Sequence, residues 1–213
     1  MKFEYEIKFS DRRTVGITVT SANKIILRCP ANMSAARAEK FLEEKSAWIE
    51  KHLQKNSEKS EKYAALTGYK TVLINGTEVP LTIGSKKTEI KPDGVFVRSL
   101  NKIQKAYTDF FSENFINRVL DISQSAGFRL NTVKLKNFKA RWGSCDAYNN
   151  LLFNYKLFML PENIQYYIII HELCHTAQHN HSEKFWRLVE RFVPDYKAVR
   201  RELKSYNFLT TLY

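Results

Sequence analysis

Apolar and polar residues alternate strictly at the start of the chain, where residues 3–9 have the sequence FEYEIKF. This period of two predicts a half-buried β-strand. Residues 14–20 and 24–29 show two further strand patterns, and the turn-like sequence SAN joins them. We therefore expect the chain to open as an antiparallel meander of three strands.

A helical pattern follows Pro30, which stops the third strand. Ser34 suits the N-cap position, and apolar residues then recur at helical spacing to about Asn56. The polar stretch NSEKSEK, residues 56–62, predicts a linker after this helix.

The middle of the chain combines short strand patterns with one long helix. The strand patterns lie at residues 71–74, 78–83, 88–90 and 95–97. From about Asn101 to Ala126 the apolar residues follow helical spacing, and Gly127 supplies a carboxy-terminal stop.

The last third begins with two strand patterns, at residues 132–138 and 150–157, which flank the loop RWGSCDAYN. Pro161 then opens a helix at its favoured first position, and this helix runs to His175. Two further helical patterns follow, separated by Pro194.

These elements predict an α+β protein. We expect an antiparallel, β-rich amino-terminal part with one helix, residues 1–100, packed on an α+β core, residues 101–213. The two parts could also form one continuous structural unit.

Composition adds a preference for anionic partners. Hydrophobic residues make up 44% of the chain and aromatic residues 13%, which predicts a packed core, and the formal net charge is +12. The run KLKNFKAR contains Lys134, Lys136, Lys139 and Arg141 and no acid. Elsewhere acids and bases are interleaved. The run therefore leaves nucleic acid open as a partner, with a solvated surface as the alternative.

The sequence predicts a cytoplasmic protein with no membrane partner, and it leaves the oligomeric state open. The apolar run before the histidines, YYIII, is too short to span a bilayer, and the first residues show no signal peptide. An odd set of three cysteines is typical of reduced thiols.

The segment HELCHTAQHNH, residues 171–181, holds four of the five histidines. His171 and His175 are four residues apart, so on a helix they differ by ~40° and about 6 Å of rise. Both imidazoles can then bind one metal ion, and Glu172 can take a proton from water at that ion. The alternative is a set of packed or surface histidines.

A catalytic zinc site needs a third protein ligand. On an unbroken helix His179 would lie ~12 Å from His171, too far to share an ion. His181 can reach the ion only if the chain leaves the helix and folds back, which Asn180 would allow because asparagine tolerates the left-handed conformation.

We therefore expect His181 to be the third ligand, with Ser182 capping the next helix. Glu190 on that helix is the second choice for this ligand position. Cys174 is the least favoured candidate, because its place on the ligand helix predicts a packed side chain.

Several motifs in order resemble the YgjP-like metallopeptidase family, which is related to SprT-like proteins and to the wider zincins. They are ILRCPANMS, KSAWIEKHL, RWGSC, FNYKL, LPENIQYYIIIHELCH, NHSEKFW and PDYKAVRREL, and they cover nearly the whole chain. The family's Asn-Trp is here Asn154-Tyr155.

The resemblance implies a minimal zincin-like core with an active-site helix of the H-E-x-x-H type. It implies that His171, His175 and His181 bind one Zn²⁺ per chain, although another divalent transition metal is possible, and that Glu172 is the catalytic general base. Arg141, Lys139, Lys136 and Tyr155 are candidates for binding substrate or stabilising its developing negative charge.

The substrate class stays open between a peptide and a nucleotide. The family name implies a zinc-dependent metallopeptidase. An activity linked with this family implies the alternative of a nucleoside triphosphate pyrophosphatase acting on UTP or a similar substrate. The relation to SprT-like proteins implies a DNA-associated protease, and a non-catalytic metal-binding module is a weaker alternative.

Overall fold

The computed structural model describes residues 3–20 and 23–213, without the side chains of residues 59, 60 and 62. The chain forms two compact units, Met1–Ala64 and Ala65–Tyr213. The domain boundary predicted near residue 100 falls inside the second unit, and a boundary there stays a prediction.

The first unit contains a three-stranded sheet in the order β1-β3-β2. Its strands are β1 (Tyr5–Ser10), β2 (Gly16–Val19) and β3 (Ile25–Pro30). β1 is parallel to β3 and β2 is antiparallel to β3, so the predicted meander is wrong. β3 takes the central place because its alternate residues are apolar and fully buried. Part of the predicted SAN turn lies outside the described residues, while Asn23 has a positive φ of 59°.

Two helices follow the sheet, α1 (Ala35–Glu44) and α2 (Ser46–Lys62). The Ser34 hydroxyl caps α1 as predicted, accepting a hydrogen bond from the Arg37 amide at 3.4 Å. The prediction of one helix followed by a linker is wrong, because the helix breaks at Lys45 and α2 includes residues 56–62. A polar sequence can remain helical when its side chains bond along the helix, as Gln54 does with Glu58 at 3.0 Å.

The core of the first unit lies between the sheet and these helices. Its buried residues are Ile25, Leu27, Cys29, Ala38, Leu42 and Ile49.

The short helix α3 (Ala64–Thr67) contains the boundary between the units, and the second unit contains two sheets. One has the order β4-β5-β7-β6, with strands β4 (Thr71–Ile74), β5 (Thr77–Ile83), β6 (Glu89–Lys91) and β7 (Gly94–Val97). The other has the order β8-β10-β9, with strands β8 (Thr132–Lys136), β9 (Gly143–Cys145) and β10 (Asn150–Asn154). The sequence predicted every strand except β9, which lies inside the predicted loop.

One arrangement of three strands occurs three times. In β1-β3-β2, β5-β7-β6 and β8-β10-β9, the first strand along the chain is parallel to the third, and the second is antiparallel to the third on its other side. In each case the third strand lies inside the sheet.

The remaining helices are α4 (Ile103–Ala126), α5 (Glu162–His175), α6 (Glu183–Phe192) and α7 (Tyr196–Ser205). Gly127 ends α4 in the left-handed conformation, with a φ of 75°, as predicted. Pro161 occupies the N-cap of α5 rather than its first turn.

Helix α5 contacts β9, α6 and α7 and is buried on most sides, including Ile168, Ile169 and Ile170. The α+β prediction is confirmed, with mixed rather than purely antiparallel sheets. Among the described residues, no helix has the length and apolar character that crossing a membrane requires.

Candidate metal centre

Helix α5 positions the first two histidines and the glutamate between them. Its apolar residues anchor it in the core, and it ends at His175. The amides of Thr176 and Ala177 bond back to the carbonyls of residues 173 and 174, at 3.0 and 3.1 Å, and so close the last turn tightly. The chain therefore leaves the helix at Thr176, and the predicted break at Asn180 is wrong, since Asn180 has no positive φ.

The segment after α5 folds back, so that His181 meets the two helical histidines. The Nε2 atoms of His171 and His181 are 3.1 Å apart. Potential ligand atoms of these two residues and His175 all lie within 4.8 Å of one another. Two ligands of a tetrahedral zinc ion are roughly 3.3 Å apart, given Zn–N bonds of about 2.0 Å. The three imidazoles are therefore spaced suitably for one ion.

The alternative ligands are not part of this cluster within the described part of the chain. His179 and Glu190 are exposed, and the Cys174 side chain is fully buried in the core. The structure thus brings together the histidines chosen from the sequence and leaves out the runners-up.

Two aromatic residues of α6 support the cluster. The ring of Phe185 stacks on His175 with centroids 4.5 Å apart, and the ring of Trp186 stacks on His181 at 5.4 Å. Ser182 caps this helix as predicted, with its hydroxyl accepting from the Phe185 amide at 3.4 Å. The cap fixes the start of α6 and therefore the position of both rings.

The histidines are held in the neutral form that binds metal. Burial, with help from the other histidines and from Arg200, lowers the pKa of His171 to about 3. Burial likewise lowers the pKa of His175 and His181. The Nδ1–H of His175 can donate to the Gln178 carbonyl oxygen at 3.1 Å, which leaves the lone pair of Nε2 for an ion.

Glu172 lies against the backbone of strand β9. A Cβ atom added to Gly143 would come within 2.6 Å of both Cγ and Oε1 of Glu172, so a larger residue there would force Glu172 to move. The glutamate side chain is 6% exposed, and this burial raises its pKa to about 8, while Arg141 acts in the opposite direction. Sequence reasoning missed Gly143, although a glycine inside the RWGSC motif was visible.

Three hydrogen bonds from side chains hold the loop before β9. The Asn154 side-chain amide donates to the carbonyls of Phe138 and Arg141, at 2.8 and 3.0 Å. The indole N–H of Trp142 donates to the side-chain oxygen of Asn207 at 3.1 Å. These bonds place Arg141 and Gly143 beside helix α5.

A cavity of about 220 Å³ opens next to Glu172. One cation and several apolar side chains line it together with the site residues. The lining residues are Arg141, Trp142, Gly143, Tyr167, Ile168, His171, Glu172 and Leu203.

The predicted substrate-binding residues have different positions. Arg141 lines the cavity, whereas Lys136 and Lys139 are exposed and do not. Tyr155 is 1% exposed and packs against Tyr107, with ring centroids 6.2 Å apart. This position in the core does not support a direct contact between Tyr155 and a substrate.

Helix α7 contributes two residues that sequence reasoning missed. Leu203 lines the cavity, and the Arg200 guanidinium lies 4.8 Å from the centre of the Trp186 ring. The sequence predicted a helix here, but nothing in its pattern indicated that the helix would contribute to the site.

One protein family and one solved structure are similar to this chain. The family described as YgjP-like, metallopeptidase domain, matches residues 13–206. The crystal structure of the metallopeptidase zymogen abylysin from Pyrococcus abyssi is 25% identical over 44% of this chain and 92% of that one, with a TM-score of 0.38. No curated protein shows significant sequence similarity.

Proposed function

Because the chain belongs to the YgjP-like metallopeptidase family, we propose that it is a zinc-dependent peptidase with Glu172 as general base. One observation carries this proposal: the Glu172 carboxylate is packed against Gly143, directly beside three clustered histidines. A purely structural metal site has no use for a buried acid at that position.

The donor set fits zinc. Three neutral imidazoles from His171, His175 and His181 would hold one ion and leave a position open, as catalytic zinc sites do. Zinc bound there would supply Lewis acidity and lower the pKa of water at the site. Another divalent transition metal fits the same donors.

Glu172 would transfer the proton in this reaction, and Arg141 would stabilise negative charge. Burial raises the pKa of Glu172, while Arg141 opposes this shift and favours the carboxylate, the form that can accept a proton from water and return it to the leaving amine. The Arg141 guanidinium also lines the cavity, where it can stabilise negative charge on the substrate carbonyl oxygen. Lys139 is a more distant candidate for that second role.

Strand β9 supports a peptide as the substrate. Among the described strands, β9 pairs only with β10, so its other edge can bond an extended peptide. Gly143 lies in this strand and contacts Glu172, which would place the peptide beside the general base. Trp142, Tyr167 and Leu203 give the adjacent cavity apolar walls that suit a substrate side chain.

A second candidate is hydrolysis of a nucleoside triphosphate at the same site. The observation in its favour is Arg141 in the cavity, with Lys136 and Lys139 exposed on the segment that leads to it. These cations would bind phosphate groups. They would equally suit a protease that acts on DNA-bound proteins.

A substrate panel with one variant tests the proposal. We expect zinc-loaded protein to cleave unfolded peptides, and Glu172→Gln to retain zinc while turnover falls by a factor on the order of 10²–10⁴, because an amide cannot accept the proton. Wild-type turnover in the variant would exclude Glu172 as the base. Cleavage of UTP without cleavage of peptides would favour the second candidate.

We also propose a cytoplasmic location. Cys29, Cys145 and Cys174 are free thiols, which suits a reducing compartment. Detection of the protein in the cytoplasmic fraction of its own cells would test this.

A further inference from the structure

A second cavity, of about 530 Å³, lies at the start of helix α4 and shares no lining residue with the cavity beside Glu172. The segment after β5, strand β6, the residue after β7 and the first two turns of α4 supply its walls. Four cations line it, Lys87, Arg98, Lys102 and Lys105, together with the acids Glu89 and Asp109.

The two acids are already engaged. Asp109 pairs with Lys105 at 2.7 Å, and Glu89 pairs at 3.2 Å with Lys91, which does not line the cavity. Lys87 and Lys102 have no carboxylate partner among the residues that the structure describes. The cavity therefore contains positive charge that the protein does not neutralise.

Arg98 is held in place without losing its charge. Its Nε–H donates to the Lys86 carbonyl oxygen at 2.8 Å, which leaves the two terminal amino groups of the guanidinium free of that bond. A fixed guanidinium loses little side-chain freedom when it binds an anion. It therefore provides a positioned donor in the same cavity as Lys87 and Lys102.

The charged residues at the start of α4 are basic, whereas acidic residues are usually preferred at that end of a helix. Lys102 is the N-cap residue and Lys105 lies in the first turn, which contains no acid. The amino-terminal end of a helix carries partial positive charge, so acids are normally favoured there. Lys102 also ends the 3-10 helix Leu100–Lys102, which leads directly into α4, so its charge adds to the partial positive charge at this end of the helix.

We propose that this cavity binds a compact polyphosphate, a small molecule with two or three linked phosphate groups. Its volume lies within the range of small-molecule sites, and lysine and arginine are the usual partners of phosphate. No lining residue is aromatic, so the site offers phosphate contacts and no ring on which a base could stack.

Calorimetric titration of the zinc-loaded protein, residues 1–213, with inorganic pyrophosphate and tripolyphosphate tests the proposal. We expect saturable binding, and the double variant Lys87→Gln/Lys102→Gln should weaken it at least about tenfold by removing two charged donors. The control Lys51→Gln/Lys55→Gln removes the same charge from exposed positions of α2 and should change the affinity less than about twofold.

Three results would overturn the proposal. One is the absence of saturable binding by the wild-type protein. Another is equal weakening by both double variants, which would indicate general attraction to a basic protein. The third is wild-type affinity in Lys87→Gln/Lys102→Gln, which would place the phosphate elsewhere, including at the histidines. Adenosine triphosphate should bind no more tightly than tripolyphosphate, and much tighter binding would contradict recognition of phosphate alone.

Discussion

Two irregular segments supply the site, and they are held in different ways. Residues 137–142, before β9, are fixed by the side chains of Asn154 and Trp142, which bond to carbonyl and amide oxygens. Residues 176–182, after α5, are bonded mainly to residues close to them in sequence. Their short-range bonds include the Thr176–Leu173 and His175–Gln178 bonds and the Ser182 cap, whereas His181 reaches more distant residues, His171 and the stacked ring of Trp186.

The difference predicts which part of the site keeps its structure when no metal is bound. The wall beside Glu172 depends on hydrogen bonds inside the protein, so it should keep its shape without an ion. The segment with His181 is positioned largely by contacts among the histidines and by their packing on α6. A bound ion would therefore stabilise the second segment much more than the first.

The largest effect should come from His181→Ala. This variant removes a ligand from residues 176–182, so we expect it to lose most of the bound metal, as His171→Ala should. His179→Ala in the same segment should retain the metal, because His179 is exposed and outside the cluster. Metal content of the purified variants measures both effects. If His179→Ala empties the site while His181→Ala does not, the assignment of the third ligand is wrong.

The next largest effect should come from Gly143→Ala, which changes the contact between strand β9 and Glu172, directly after residues 137–142. The new methyl group would collide with Glu172, and displacement of a catalytic group by about 1 Å can cost on the order of 10² in turnover. Zinc content should be unchanged. The φ of Gly143 is not positive, so the variant tests the collision without backbone strain. Ser144→Ala in the same strand is the control, and an equal loss there would contradict a specific role for Gly143.

The smallest effect concerns Lys156, a buried residue that supports residues 137–142 indirectly. Its Nζ is buried and donates to the Thr210 carbonyl oxygen at 2.8 Å, in the same 3-10 helix, Asn207–Thr211, that holds Trp142. Burial lowers the pKa of Lys156 to about 8. The unfolded chain therefore binds more protons than the folded one between about pH 8 and pH 10, and stability rises with pH in that window.

Urea unfolding at pH 7.5 and pH 9.5 measures this contribution. The free energy of unfolding of the wild type should rise by about 1 to 2 kcal/mol relative to that of Lys156→Met over this interval. Comparison with the variant cancels the titration of cysteines and tyrosines. Lys184→Met, at an exposed position of α6, should follow the wild type. A wild-type pH dependence in Lys156→Met would assign the effect to other groups.

The sequence predicted what depends on local spacing. Helix α5, its two histidines and Glu172 follow from the four-residue spacing and the apolar run before them. The capping residues Ser34 and Ser182 and the stop at Gly127 also rest on local chemistry and were predicted.

The sequence did not predict what depends on contacts between distant residues. Strand order was wrong in the first unit, because pairing of β1 with β3 depends on burial of a strand that follows later. Gly143, Arg200 and Leu203 were missed, since each meets the site through tertiary packing. Tyr155 looked like a substrate residue beside Asn154, yet its ring faces the core.

The threefold strand arrangement described above has a consequence for folding kinetics. β9 and β10 pair Cys145 with Leu151, which are close in sequence, whereas β8 and β10 pair Thr132 with Asn150 across a longer loop. Closing a short loop loses less chain entropy, so hairpins of this kind form in about 1–10 μs and precede the longer-range pairing. We expect the hairpin of β9 and β10 to form while β8 is still unattached. Strand β9 would then be formed before α5 packs against it, and Glu172 would pack against an existing strand.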